Sequence, residues 1–250
     1  MIKPALRGTC FKRRLDMKLV YRGKTKDVYE LNNDTLRLAF TDRVTKNDAG
    51  EIDPGGNNLA EETMPGQGEA CLVMTTAIFD AINKNKIAAT HMLAFDLPGL
   101  TMDVRRAKMF TPGLEWVGRW VCTGSFLRRY KMVPGIEDGK RLPSPVFEIT
   151  LKDDAAGDPP IVPSALVALN IVEARIMDDL FARNAKVLET IKDMFSARGL
   201  DLWDIKIEWG LDADGAPLII DEISPGCCRA FEKGTKQRVQ GLDLAERFRA

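Results

Sequence analysis

Four stretches of the chain carry side chains suited to anions and to a divalent cation. The richest runs from Leu202 to Ser224. It reads as a hairpin of two strands, Leu202–Gly210 and Pro217–Ser224, around Asp214-Gly215. That dipeptide signals a two-residue type I′ turn, in which both central residues take positive φ. The turn predicts Glu208 directly across from Asp221, Cβ atoms about 4.5–5.5 Å apart. Lys206 shares their face, while Ile205, Ile207 and Trp209 point the other way. Opposed like charges are unfavourable in a sheet unless a cation lies between them. Oxygen ligation by one or two carboxylates plus substrate phosphates is what Mg²⁺ prefers. The competing reading is a solvated face on which Lys206 neutralises one carboxylate.

The second stretch is Gly23-Lys24-Thr25-Lys26, between two short strands. A glycine lets the backbone approach phosphate, and two ammonium groups can balance its charge. No Walker A or G-x-G-x-x-G sequence occurs. In the third, Leu114–Cys122, a strand puts Glu115, Val117 and Arg119 on one face, and a turn at Gly124-Ser125 offers a hydroxyl and a backbone N–H. The fourth is Arg229, a rigid donor fork suited to carboxylate or phosphate, as is Arg119. Each has a bland alternative, an exposed turn or a surface ion pair. Together they suggest an ATP-using enzyme and leave its acceptor open. The sole histidine, His91, reads as structural, and Cys227-Cys228 has no histidine beside it to form a nucleophile pair.

These residues need a scaffold, and the rest of the chain outlines one. Its 250 residues are 45% hydrophobic and 29% charged, globular values that exclude a wholly disordered chain. With 36 basic and 36 acidic residues the net charge is zero, which lacks the basic footprint of a duplex-binding protein. No apolar run is long enough to cross a bilayer. The five cysteines lack C-x-x-C spacing and point to reduced thiols in the cytoplasm. Residues 1–16 read as a basic arm that is not necessarily native. Strands are predicted at Lys18–Arg22, Asp27–Leu31 and Leu36–Phe40, a loop-rich stretch to Gly68, and an amphipathic helix from Glu69 to Asn83. Beyond Leu114–Cys122, Pro134–Pro163 reads as irregular, and one long helix spans Ser164–Arg198, stopped by Gly199. Grouped strands with helices between the groups favour an α+β fold.

The ordered motifs go further. Val20–Tyr29, Phe40–Asp48, Asp53–Asn57, Thr90-His91, Arg119 with Gly124-Ser125, Asp204–Gly210 and Asp221–Arg229 together resemble the SAICAR synthetase family, over nearly all the chain from residue 17. The resemblance implies an N-terminal β-rich lobe (residues 17–110) and a larger α/β lobe (111–250) with ATP between them, similar to ATP-grasp enzymes. It implies an ATP- and Mg²⁺-dependent ligase that joins the carboxylate of carboxyaminoimidazole ribotide (CAIR) to L-aspartate, in a cytoplasmic homodimer with neither nucleic-acid nor membrane partners. On that likeness Lys24, Thr25, Lys26 and Glu115 lie at ATP, and Glu208 and Asp221 at ATP and metal. Asp48, Arg119, Gly124, Ser125, Lys206 and Arg229 lie at the substrates, with Lys206, Glu208 and Asp221 as the catalytic set. Phe110–Glu115 matches the hinge beside adenine.

Four positions depart from the family pattern. Gly118-Arg119-Trp120 stands for Val-Arg-Asn, Gly226 for the aspartate of Ser-Pro-Asp, Gln67 for a lysine, and Ala230-Phe231-Glu232 for Leu-Trp-Asp. They leave two alternatives open: the same ligation on a different acid or amine, or a nucleotide-binding protein without turnover.

Overall fold

The computed structural model describes residues 17–46, 49–53, 56 and 58–249. Asp48, the basic arm and part of the Asp53–Asn57 turn therefore lie outside the described residues. The N-terminal part contains β1 (Lys18–Arg22), β2 (Lys26–Glu30), β3 (Thr35–Phe40), β4 (Arg43–Lys46), β5 (Asn58–Thr63), α1 (Gln67–Lys84), β6 (Ala89–Thr90), β7 (Met92–Asp96), β8 (Thr101–Arg105) and β9 (Lys108–Met109). Then follow β10 (Leu114–Val121), α2 (Gly124–Tyr130), β11 (Arg141–Leu151), β12 (Pro160–Ile161), α3 (Pro163–Ala168) and α4 (Ala174–Ser196). The chain closes with β13 (Leu200–Leu211), β14 (Pro217–Ile220), β15 (Cys228–Glu232), β16 (Arg238–Val239) and α5 (Gly241–Glu246).

Two main sheets result. The first is antiparallel, in the order β1-β2-β3-β8-β7. The second runs β12-β11-β10-β13-β14-β6, with β15 and β9 also on β13, and β16 on β15. Helix α1 lies between them, with Leu72, Met74, Ile78, Phe79 and Ile82 fully buried, and packs against β3, β6 and α5. Helix α4 covers the back of the second sheet, packing on β10 and β13 through a stripe that includes Leu180, Val187, Leu188 and Ile191. No described helix is long and apolar enough to cross a membrane.

Several expectations need correction. The loop-rich stretch before α1 holds the β4–β5 hairpin, and four strands that the sequence reading missed, β6 to β9, precede Leu114. Pro134–Pro163 contains the eleven-residue β11. Its prolines, Pro143 and Pro145, sit where a bulge interrupts the β10–β11 ladder between Arg119↔Val146 and Val121↔Arg141, so no ladder bond there is lost. The long helix is two helices, α3 and α4, broken where Asn170 takes a left-handed φ of 55°. Gly124-Ser125 is not a free turn but the first turn of α2.

Candidate active site

The 202–224 hairpin forms one residue out of the expected register. Glu208 pairs with Ile220, not Asp221, and Leu211 with Pro217. Asp212 bonds both ways across the loop: its N–H donates to the Ala216 carbonyl, and its Oδ1 accepts from the N–H groups of Asp214 and Ala216. The connection is thus the three-residue Ala213-Asp214-Gly215, with Gly215 at φ 79°. Asp221 nevertheless reaches the site. Strand β14 ends at Ile220, and Asp221 takes a φ of 65°, turning the chain out of the ladder.

Strands β11, β10 and β13 then lay out three rows on one face. Thr150, Glu115 and Glu208 form the first row. Glu148, Val117 and Lys206 form the second. Val146, Arg119 and Asp204 form the third, which Arg229 of β15 extends. Alternation sends Trp116, Gly118, Ile205 and Ile207 to the opposite face.

The first row is the carboxylate end. Lys152, just past β11, places Nζ 2.6 Å from Glu208 Oε1. Burial and the nearby Asp221 anion raise the Glu208 pKa, and Lys152 opposes them. Asp221 shows the reverse: burial would raise its carboxyl, but Lys26 and Lys152 hold it down at about 2. The Lys26 ammonium lies 2.8 Å from Asp221 Oδ1 and 3.2 Å from Glu222 Oε2. Burial works against its charge, yet these two carboxylates keep its pKa above the ordinary lysine value. Glu222 Oε1 accepts from the Thr25 and Ser224 hydroxyls, at 3.1 Å each. His91 is buried, its Nε2 3.0 Å from the Asp221 carbonyl.

The Gly23–Lys26 turn is closed by the Gly23 N–H on the Lys26 carbonyl and pinned by Arg43, which donates to the Gly23 carbonyl (2.9 Å) and to Asp27 (2.6 Å). Lys26 and Thr25 reach from this turn to Asp221 and Glu222. They anchor the carboxylates across the cleft.

Lys206 occupies the middle row. It pairs with Glu115 at 2.6 Å, not with Glu208, and Glu115 Oε2 also accepts from Thr150. Burial would lower the Lys206 pKa, but Glu115 prevails and keeps the amine protonated. At the third row Arg119 is buried and each of its nitrogens donates once: Nε to Glu148 (2.5 Å), Nη1 to Asp204 (2.9 Å), Nη2 to the Ser125 hydroxyl (2.9 Å). Arg229 shares Asp204 through Nη1 at 2.6 Å. A cavity of about 220 Å³ opens over the second and third rows, where Lys206, Ser125, Arg229 and Gly226 reach it.

Asp204, Glu148, Lys152 and Glu222 were missed from sequence. The alternation Asp204-Ile205-Lys206-Ile207-Glu208 marks Asp204 as a third member of the polar face, and Glu148-Ile149-Thr150-Leu151-Lys152 carries the same signal. Two departures from the family pattern sit away from the cavity. Gly118 and Trp120 face α4, where Trp120 Nε1 donates to Glu189 and a Cβ on Gly118 would lie 3.1 Å from Leu188. Gln67 is buried in α1 against Cys71. Gly226 does line the cavity. Among the described residues no three His, Cys, Asp or Glu side chains converge on one metal position.

Fold and site together define an α+β protein whose polar sheet face is organised for anions. The family described as SAICAR synthetase matches residues 19–249, and the chain belongs to it. It is 41% identical over 229 residues to the phosphoribosylaminoimidazole-succinocarboxamide synthase of Clostridium tetani, covering 91% of this chain and 97% of that one. The Thermotoga maritima enzyme of the same name is 35% identical over 214 residues, covering 86% and 85%. Among solved structures, a type-2 SAICAR synthetase in complex with ADP superimposes with a TM-score of 0.76 at 28% identity, covering 91% of this chain and 93% of that chain. The type-1 structure of the Pyrococcus horikoshii OT3 enzyme gives 0.73 at 27%, covering 89% and 93%.

Proposed function

We propose that this protein is an ATP-dependent ligase that joins the carboxylate of carboxyaminoimidazole ribotide to the amine of L-aspartate, releasing ADP and phosphate, in purine biosynthesis. The observation that carries this reading is the two-ended polar face of β13. Asp204, with its arginines, and Glu208, with its lysine, lie four residues apart, about 13 Å along a strand. That span suits a ribotide with its phosphate at the arginine end and its imidazole carboxylate beside the γ-phosphate of ATP, near Lys206.

An amide cannot form from a carboxylate until its oxygen becomes a better leaving group. Phosphoryl transfer from ATP supplies this as an acyl phosphate. The amine of aspartate then attacks the carbonyl carbon and phosphate departs. Lys206, held protonated by Glu115, acts as a fixed positive charge that draws carboxylate and phosphoryl group together, not as a base. Lys152 offsets charge at the nucleotide end, and Lys26 fixes the orientation of Asp221 from behind.

Glu208, buried, and Asp221, partly exposed, fit Mg²⁺: they are mutually repelling oxygen donors, a pair that a divalent cation relieves. When bound, Mg²⁺ neutralises charge developing on the transferring phosphoryl group. Backbone groups of Phe110–Glu115, which runs from the end of β9 into the start of β10, would read adenine. The first sheet would cover the nucleotide in the two-lobed manner of ATP-grasp enzymes. Family likeness further suggests a cytoplasmic homodimer.

The test is an endpoint assay of purified protein with Mg²⁺-ATP, carboxyaminoimidazole ribotide and L-aspartate, read by mass spectrometry. The succinocarboxamide ribotide is the expected product. Bound ATP without that product would overturn the assignment of acid and amine.

A further inference from the structure

Five cations line the cavity over the second and third rows: Arg119, Arg128, Lys206, Arg229 and Arg238. Four of them hold carboxylates of the protein itself. Arg119 is bound to Glu148 and Asp204, Lys206 to Glu115, Arg229 to Asp204, and Arg238 lies 3.7 Å from Asp53. Among the described residues Arg128 alone of these has no hydrogen bond or ion pair. It is exposed, and its position on α2 is one turn beyond Ser125, a spacing that brings side chains to within about 5–6 Å at Cβ. Its neighbour Arg129 is committed to Glu148.

The donors left for a ligand can be counted. The Ser125 oxygen accepts from Arg119, so its own O–H is free to donate. Arg229 uses Nη1 on Asp204 and retains its other N–H groups. Arg119 commits each of its three nitrogens to the protein, to Glu148, Asp204 and Ser125, and contributes by holding Ser125 and Asp204 in place. One hydroxyl and one arginine whose charge Asp204 shares leave a phosphomonoester dianion short of positive charge. Arg128 supplies that charge, with a planar fork matched to phosphate oxygens.

We infer that Arg128 is a specificity-determining residue, the cation that meets the second negative charge of a phosphomonoester and selects a phosphorylated ribosyl substrate over its dephosphorylated counterpart. This rests on the ribotide reading above and adds to it the group that reads the phosphate's charge. A carboxylate-bearing amino acid is a poorer match, because a carboxylate carries one charge, and Ser125 and Arg229 already provide donors for its two oxygens.

The experiment is calorimetric titration of the full chain with ribose 5-phosphate, with ribose and with ADP, using the native protein, Arg128→Ala and Arg128→Lys. Arg128→Ala is expected to weaken ribose 5-phosphate binding about tenfold, in the range of a lost charge-assisted hydrogen bond. Arg128→Lys should recover part of the loss. The ADP Kd should move less than twofold in both variants. In steady state the KM for ribotide should rise while that for L-aspartate holds. Unchanged ribose 5-phosphate binding in Arg128→Ala would overturn the inference, as would parallel weakening of ADP, a shift confined to L-aspartate, or no binding to the native protein. Because these titrations need no turnover, the expected Kd pattern without amide product would count against the acid-and-amine assignment alone.

Discussion

Gly124 backs directly onto the guanidinium of Arg229: a Cβ at position 124 would lie 2.7 Å from Nη1 and 2.8 Å from Cζ. Gly124 also takes a φ of 54°, which L side chains rarely adopt. The first residue of α2 is therefore a glycine for two independent reasons, and both serve the arginine that reaches the substrate cavity. Gly124→Ala is expected to push Arg229 off Asp204 and raise the KM for ribotide at least tenfold, since a misplacement of about 1 Å can cost two orders of magnitude. The KM for ATP should change less than twofold, because the nucleotide end lies at the other end of the sheet face. Steady-state kinetics with each substrate varied in turn decides it. A normal ribotide KM would mean that Arg229 contributes nothing to binding.

At the carboxylate end, Glu208 and Asp221 are close enough for each to affect the other's ionisation, with Lys152 against Glu208 and Lys26 against Asp221. Glu208→Gln keeps the shape and the contact with Lys152 but removes a negative charge. Ligation should fall at least 100-fold, a typical loss for removing one preorganised electrostatic partner. Chelation of divalent cations should arrest the native protein, with recovery on returning Mg²⁺. Full activity of Glu208→Gln at saturating Mg²⁺ would exclude Glu208 as a metal ligand.

Lys26 offers a test on the stability side. Its buried ammonium is the counter-charge of both Asp221 and Glu222, and it joins β2 of the first sheet to the segment after β14 of the second. Lys26→Met leaves Glu222 buried, and Asp221 partly buried, without their cation. Breaking such a pair by removing one partner costs about 3–5 kcal/mol. Urea denaturation at neutral pH should show a loss of that order. A loss below about 1 kcal/mol, with ATP binding abolished, would restore Lys26 to the role of a loose phosphate ligand.

Much of this site was legible in the sequence, for reasons that differ by residue. The face shared by Glu115 and Arg119, and that shared by Lys206 and Glu208, follow from strand alternation, which survives errors in strand length. Asp221 does lie near Glu208, but not by the direct pairing expected. A direct cross-strand pair with Glu208 would need an even turn count, whereas the chain reaches the same neighbourhood through a left-handed residue that no hydrophobic pattern encodes. Lys152 was lost because prolines and glycines around it suggested irregular chain, and the bulge that accommodates Pro143 and Pro145 is a tertiary feature. Trp120 shows the opposite error. As a departure from the family motif beside Arg119 it drew attention as a substrate-facing change, yet the same alternation that aims Arg119 at the site aims Trp120 at α4, between Glu189 and Lys192. Of the substitutions considered, Gly226 is the one that alters the cavity wall itself.

His91 couples the site to pH with a sign that can be fixed in advance. Burial, opposed by the Asp221 anion, lowers its pKa to about 4, against about 6.5 for an unfolded histidine. The folded ring is therefore neutral near pH 7, and its Nε2–H donates to the Asp221 carbonyl. Between pH 6.5 and 4 the unfolded chain binds a proton that the folded chain refuses, so stability falls as pH drops through this window. It is complete above about 6.5 and levels off below about 4, for a total of roughly 3 kcal/mol. Asp221, held at about 2, contributes its own loss at lower pH, outside this window. Glu208, with a raised pKa, contributes with the opposite sign and stabilises the fold as it protonates. The His91 share is isolated by subtracting the denaturation curves of His91→Gln, whose side-chain amide can still donate to the carbonyl, from those of the native protein. Because His91 is the sole histidine of the chain, its ring proton resonance also titrates without overlap. A midpoint near 6.5 would place the ring in solvent and remove it from the support of Asp221.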